Sequence, residues 1–79
     1  MTEEKTNPNY VRLRHVLVES RTKAGVTQTE LAALLGKPQS YVSKIESGER
    51  GIDVVEFVDY VKAIGADPVH VLRRVLQKG

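Results

Sequence analysis

The sequence predicts an all-α fold of five short helices, and three observations carry that expectation. Apolar residues recur at intervals of three and four, with no stretch of strand-like alternation in the 79 residues. Four of these stripes open on a side chain that can cap a helix, namely Asn7, Thr27, Asp53 and Asp67. Glycine and proline then punctuate the stripes, with Gly25, Gly36 and Gly65 at their ends and Pro8, Pro38 and Pro68 at their beginnings.

Residues 1–6, MTEEKT, show no apolar periodicity and are expected to form a disordered tail, which leaves residues 7–79 as the folded domain. Asn7 and Pro8 open the first helix. Its stripe of Tyr10, Leu13, Val16, Leu17 and Ala24 runs to about residue 24, where Gly25 breaks it. Its outer face carries Arg12, Arg14, His15, Glu19 and Lys23 and reads as mainly solvated. His15 and Glu19 stand four apart, but no third ligand accompanies them, so no metal site is expected.

The second helix begins at Thr27. The Thr27 hydroxyl can accept a hydrogen bond from the Glu30 amide while the Glu30 carboxylate accepts from the Thr27 amide, and Val26 can staple to Leu31. Leu31, Ala32 and Leu35 share one face. Gly36 then supplies the left-handed conformation that ends a helix. The chain restarts at Pro38 as a first-turn proline, with Val42 and Ile45 marking the buried side of a third helix. So short a connection makes residues 27–48 a helix-turn-helix. The outer arc of the third helix, Gln39, Ser40, Ser43, Lys44 and Ser47, lacks the Glu–Lys pairs of an ordinary solvated surface. It offers amide, hydroxyl and ammonium groups suited to base edges and phosphates.

Ser47 to Gly51, SGERG, is a loop by composition. Asp53 caps a fourth helix with Glu56 three residues on, Ile52 can staple to Phe57, and Val54, Phe57, Val58, Val61 and Ile64 line the expected buried side. Gly65 ends it. Asp67 and Pro68 open a fifth helix that runs to the C-terminus, and its apolar set of Val69, Val71, Leu72, Val75 and Leu76 is too wide for one stripe. Val71, Leu72, Val75 and Leu76 are therefore the candidate interface of a homodimer.

Gln28, Leu31, Ala32, Gly36, Val42, Ile45, Glu46 and Gly48 sit where the Cro/C1-type (Xre) family of bacterial and phage repressors shows its motif, and the sequence resembles that family over residues 27–48. The resemblance implies a lambda-repressor-like DNA-binding domain whose third helix enters the major groove of double-stranded DNA, acting as a dimer. Carried over position by position, it puts Gln28 on a phosphate with Thr27 beside it. Gln39, Ser40 and Lys44 would face base edges, Tyr41 and Ser43 would reach a phosphate or a thymine methyl, and Arg50 would approach the flanking backbone or minor groove. It also implies an ion pair between Arg21 and Glu46. Electrostatics favours that pair, because a carboxylate in the last turn of a helix is disfavoured by the helix dipole by ~0.3–1 kcal/mol unless a cation compensates. The sequence departs from the family pattern at Pro38, where Ser or Thr is more common, which puts phosphate contacts at the start of the third helix in doubt.

Composition narrows the classes of function. A chain of 8.8 kDa holds one domain, so no appended ligand-sensing domain and no small-molecule ligand or cofactor is expected. It has no cysteine, and no signal peptide or run of ~20 apolar residues, so a cytoplasmic, nucleoid-associated protein without membrane contact is expected. The net charge of +2 is modest, but Arg21, Lys23, Lys37, Lys44 and Arg50 gather around the motif while Asp53, Glu56 and Asp59 make the fourth helix acidic. Two other classes stand beside DNA binding. In one, the same fold is a protein-binding adaptor or antitoxin that grips its partner through the acidic helix. In the other, the chain is an enzyme, which has little to work with: His15 and His70 are the only imidazoles, and there is no nucleophile motif or Gly-rich phosphate loop.

Overall fold

The computed structural model describes residues 7–77, and all of its regular structure is helical. The elements are α1 (Pro8–Lys23), α2 (Gln28–Leu35), α3 (Gln39–Ser47), α4 (Val54–Ala63) and α5 (Pro68–Leu76). The expected tail at residues 1–6 lies outside the described residues, as do residues 78 and 79.

Local chemistry accounts for the boundaries. Asn7 accepts from the Asn9 amide, and both Thr27 with Glu30 and Asp53 with Glu56 close reciprocal capping boxes. The α2–α3 turn is made by Gly36 at φ +68°: the Lys37 amide donates to Ala32 O at 2.9 Å and the Gly36 amide to Ala33 O at 3.1 Å. This nested pair satisfies carbonyls that the end of α2 leaves open. Pro38 holds extended backbone at the cap position rather than within the first turn, and α3 begins one residue later at Gln39 without a side-chain cap.

The helices enclose one apolar centre. α1 packs on α3 and α5, α2 on α3 and α4, and α4 on α5. Leu17, Leu31, Val42 and Val61 are fully buried where these faces meet, and Ala32 is buried as well. A larger side chain at Ala32 would push neighbouring helices apart. Two polar ties anchor α5 to α1: Arg74 pairs with Glu19, and Arg12 Nη1 donates to Val75 O at 3.3 Å.

Several expected core and surface assignments change. Ala24 is exposed, and Glu19 is tied to Arg74 rather than free in solvent. Val54 is 77% exposed, because the first turn of α4 borders an unfilled apolar groove of about 270 Å³ that it shares with Tyr10, Leu13, Ile52, Phe57 and Leu72. Tyr60, absent from the expected stripe, is buried in its place. In α5, Val71 and Val75 are 2% and 6% exposed and pack into this chain's own core, and Val75 also lines that groove beside Leu72. Leu72 at 46% and Leu76 at 66% remain available.

Candidate nucleic-acid interface

The site is built outward from Glu46, whose carboxylate is drawn inward at the end of α3. Arg21 forks onto it, with Nε 2.8 Å from Oε2 and Nη2 2.9 Å from Oε1, and Arg21 Nη1 donates to Val26 O at 2.9 Å. Both side chains of this pair are nearly buried. The Tyr60 hydroxyl donates to Oε2, with Leu17 O 3.3 Å away, and Gln28 Nε2 donates to Oε1 at 2.9 Å. Burial pushes the Glu46 carboxyl up, but the bonds from Arg21, Tyr60 and Gln28 outweigh it and hold the group below the usual carboxylate range. Burial, and then the adjacent Glu46 carboxylate, push the Tyr60 phenol far above its ordinary range, so it stays a donor.

A direction propagates from this buried charge. A carboxylate only accepts, so Gln28 must turn its amide nitrogen inward and its oxygen outward. That oxygen accepts from Gln39 Nε2 at 2.7 Å. Among the described residues nothing else engages the Gln39 amide, which keeps its carbonyl oxygen and one N–H, the two kinds of group that engage the N6 and N7 of adenine. Gln28, expected to touch a phosphate, is half-buried and committed first to Glu46 and Gln39.

At about 100° per residue, Gln39 lies on one flank of the outer arc of α3 and Tyr41 on the other, with Ser40, Ser43, Lys44 and Ser47 between them. Ser40, Lys44 and Ser47 are exposed and Ser43 is half-buried. None of the three ion pairs among the described residues uses Lys44, so its charge is uncommitted. Two cations lie over the Tyr41 ring, with Lys37 Nζ 5.3 Å and the Arg50 guanidinium carbon 4.7 Å from its centroid. Arg50 in turn forks onto Glu56 at 2.8 and 3.1 Å. Arg50, expected from the resemblance to approach the flanking backbone or minor groove, is thus also tied to α4. Thr27 is exposed at the start of α2, with its hydroxyl engaged by the Glu30 amide.

The contacts of three contributors are not evident from the sequence. Tyr60 stands three residues after Phe57 and four before Ile64, so periodicity alone could have placed it on the inner face. Lys37 is four residues before Tyr41, but it precedes α3, and nothing local shows that it folds back over the ring. The sequence shows Glu56 as a capping-box partner and one of the acidic residues of the fourth helix, and its pairing with Arg50 becomes visible once the loop brings the two together. Among the described residues, no group of three or more His, Cys, Asp and Glu side chains is placed to hold a metal ion, and no helix is long and apolar enough to cross a membrane.

Comparison with known proteins finds relatives of this fold. A helix-turn-helix family model matches residues 17–71. Among solved structures, an XRE-family like protein from Pseudomonas syringae pv. tomato is 48% identical, with 95% of this chain and 92% of that one covered at a TM-score of 0.86. The clp gene regulator ClgR from Corynebacterium glutamicum is 26% identical, with 86% of this chain and 88% of that one covered at a TM-score of 0.78. No curated protein matches the chain.

Proposed function

Because the chain belongs to the Cro/C1-type (Xre) helix-turn-helix family of DNA-binding transcription regulators, we propose that it acts as a homodimeric repressor on an inverted-repeat operator. In this reading α3 lies in the major groove, α2 crosses the backbone, and the protein resides in the cytoplasm on the nucleoid. Gln39 reads adenine, Lys44 donates to guanine O6 and N7, and Ser40 serves either base. Thr27, Gln28, Tyr41, Ser43 and Arg50 border the phosphates. The observation that carries the reading is the directed chain from Glu46 through Gln28 to Gln39, which fixes one amide on an otherwise open polar face. A solvent-exposed side chain held in this way loses less freedom when it engages a base.

The test is a binding selection from random duplexes, followed by titration of variants on the recovered sequence. Gln39→Ala should cost about 1–3 kcal/mol and relax selectivity at one position in each half-site, and Lys44→Ala should do so at another. Gln28→Ala should reproduce part of the Gln39 loss, since it removes the bond that orients that amide. Should Gln39→Ala and Lys44→Ala leave both the selected sequence and its affinity unchanged, α3 does not read bases and the adaptor reading takes the lead.

A further inference from the structure

The Arg50–Glu56 pair lies on the Tyr41 flank of the reading face, and its hydrogen bonds can be counted donor by donor. A guanidinium has five N–H groups. Nη1 donates to Gly51 O at 2.8 Å and to Glu56 Oε1 at 3.1 Å, and Nη2 donates to Glu56 Oε2 at 2.8 Å. Among the described residues nothing accepts from Nε–H or the second Nη2–H, which share one edge of the plane. That edge is a fork with the spacing of two phosphate oxygens. The guanidinium carbon also lies over the Tyr41 ring, 4.7 Å from its centroid, a further contact that holds the group in place. Glu56 is itself fixed, because Oε1 accepts from the Asp53 amide at 3.0 Å and the Glu56 amide donates to Asp53 Oδ1 at 2.7 Å. The brace therefore runs from the cap of α4 through Glu56 and Arg50 to the aromatic ring on α3.

Charge separates what this brace does at long range from what it does at contact. Arg50 holds the Glu56 carboxyl down at about 2, so the carboxylate is charged at any pH at which the protein would bind DNA. Beyond the ~8 Å screening length at physiological salt, a cation and an anion at hydrogen-bond distance cancel. The pair thus exerts little pull on an approaching duplex, whereas Lys44 exerts its full charge. At contact the open edge of Arg50 can still grip a phosphate, provided that α3 is already seated.

We propose that Glu56 is a specificity-determining positioning residue: it cancels the indiscriminate attraction of Arg50 for DNA and holds the guanidinium so that it engages a phosphate only in the docked register. This rests on the DNA-binding reading above and adds to it a residue that touches no DNA. The experiment measures affinity over a range of salt concentrations on two probes, the duplex recovered by selection with the parent chain and a random-sequence duplex of equal length. Glu56→Gln keeps an acceptor for the α4 cap and frees the cation. It should raise affinity for random duplex severalfold and steepen its salt slope by about 0.9, the increment for one further phosphate neutralised. The selected duplex should gain less, so the ratio between the probes narrows. Arg50→Lys, which keeps the charge but loses the planar fork, should weaken the selected duplex several times more than the random one. An unchanged slope in Glu56→Gln, or a widened ratio in either variant, overturns the proposal while the DNA-binding reading stands. Failure of the parent to recover any duplex takes both down.

Discussion

Glu46 occupies a position that is costly for a carboxylate, buried and at the negative end of a helix, and it stays ionised because four donors converge on it. Arg21→Ala leaves that charge without its cation and should destabilise the fold by about 3–5 kcal/mol, read as a shift in the urea unfolding midpoint. A loss under ~1 kcal/mol would mean that Tyr60 and Gln28 suffice. The pH dependence follows from the direction of the shift. The folded pKa of Glu46 lies below its unfolded value, so its contribution is complete above the ordinary carboxylate range near ~4.3 and is lost as pH falls through the folded value. Unfolding midpoints should therefore drop on the acid side, and less so in Glu46→Gln. Glu56 adds to the same limb, so the drop should shrink rather than vanish. At this scale the sequence was only partly legible. Glu46 was recognisable as a helix-end anion in need of a cation, and the family resemblance supplied Arg21. Nothing in the spacing reveals that a phenol on α4 and an amide on α2 converge on the same two oxygens, because those contacts join residues 14 and 18 positions apart.

Element boundaries were the most legible feature, since caps are local chemistry. Both capping boxes and all three proline openings fall within a residue of where their side chains put them. Two glycines make this testable. Gly36 and Gly48 both hold positive φ, +68° and +87°, but the space around them differs. A Cβ at Gly36 would meet nothing, whereas at Gly48 it would come within 3.0 Å of the Arg14 guanidinium, which lies over the end of α3. Gly36→Ala should cost about 1–2 kcal/mol from backbone conformation alone, and Gly48→Ala more, by chemical denaturation. Equal costs would show that Arg14 yields freely. The misplacement of Val54 also has an element-scale cause. Val54 does lie on the apolar stripe of α4, but α4 begins there, and its first turn faces the groove beside Leu72 instead of a packed neighbour. Periodicity assigns a face to a residue without saying whether another element covers it.

For the whole molecule, size limits how DNA can be engaged. The backbone of the described residues spans 30 × 26 × 20 Å and holds one helix-turn-helix, so one copy presents a single α3, whereas equivalent major-groove faces one turn apart are separated by ~34–36 Å. One copy can cover a half-site, and an inverted repeat needs two. Of the residues in the proposed dimer interface, Leu72 and Leu76 are exposed on α5, and Leu72 adjoins the apolar groove that Val54 borders and Val75 lines. Leu72→Asp should shift sedimentation of the micromolar protein from dimer to monomer without unfolding it. A parent that sediments as a monomer both alone and on the selected duplex would sink the homodimer. Exposure divides the proposed interface set, because a short amphipathic helix does not reveal in its sequence how much of its apolar surface the chain itself covers.

The bond between Gln28 and Gln39 also bears on inheritance. In the proposed reading, the side chain that reads DNA and the one that sets its orientation belong to different helices, so specificity would not be contained in α3 as a transferable cassette. A relative that acquired only a new α3 would keep Gln28 turned by Glu46 toward an amide no longer there, with an exposed oxygen seeking a donor. Positions 28 and 39 form one unit of variation, and a lineage that alters its operator through position 39 alone must pass through an intermediate in which that oxygen has lost its partner.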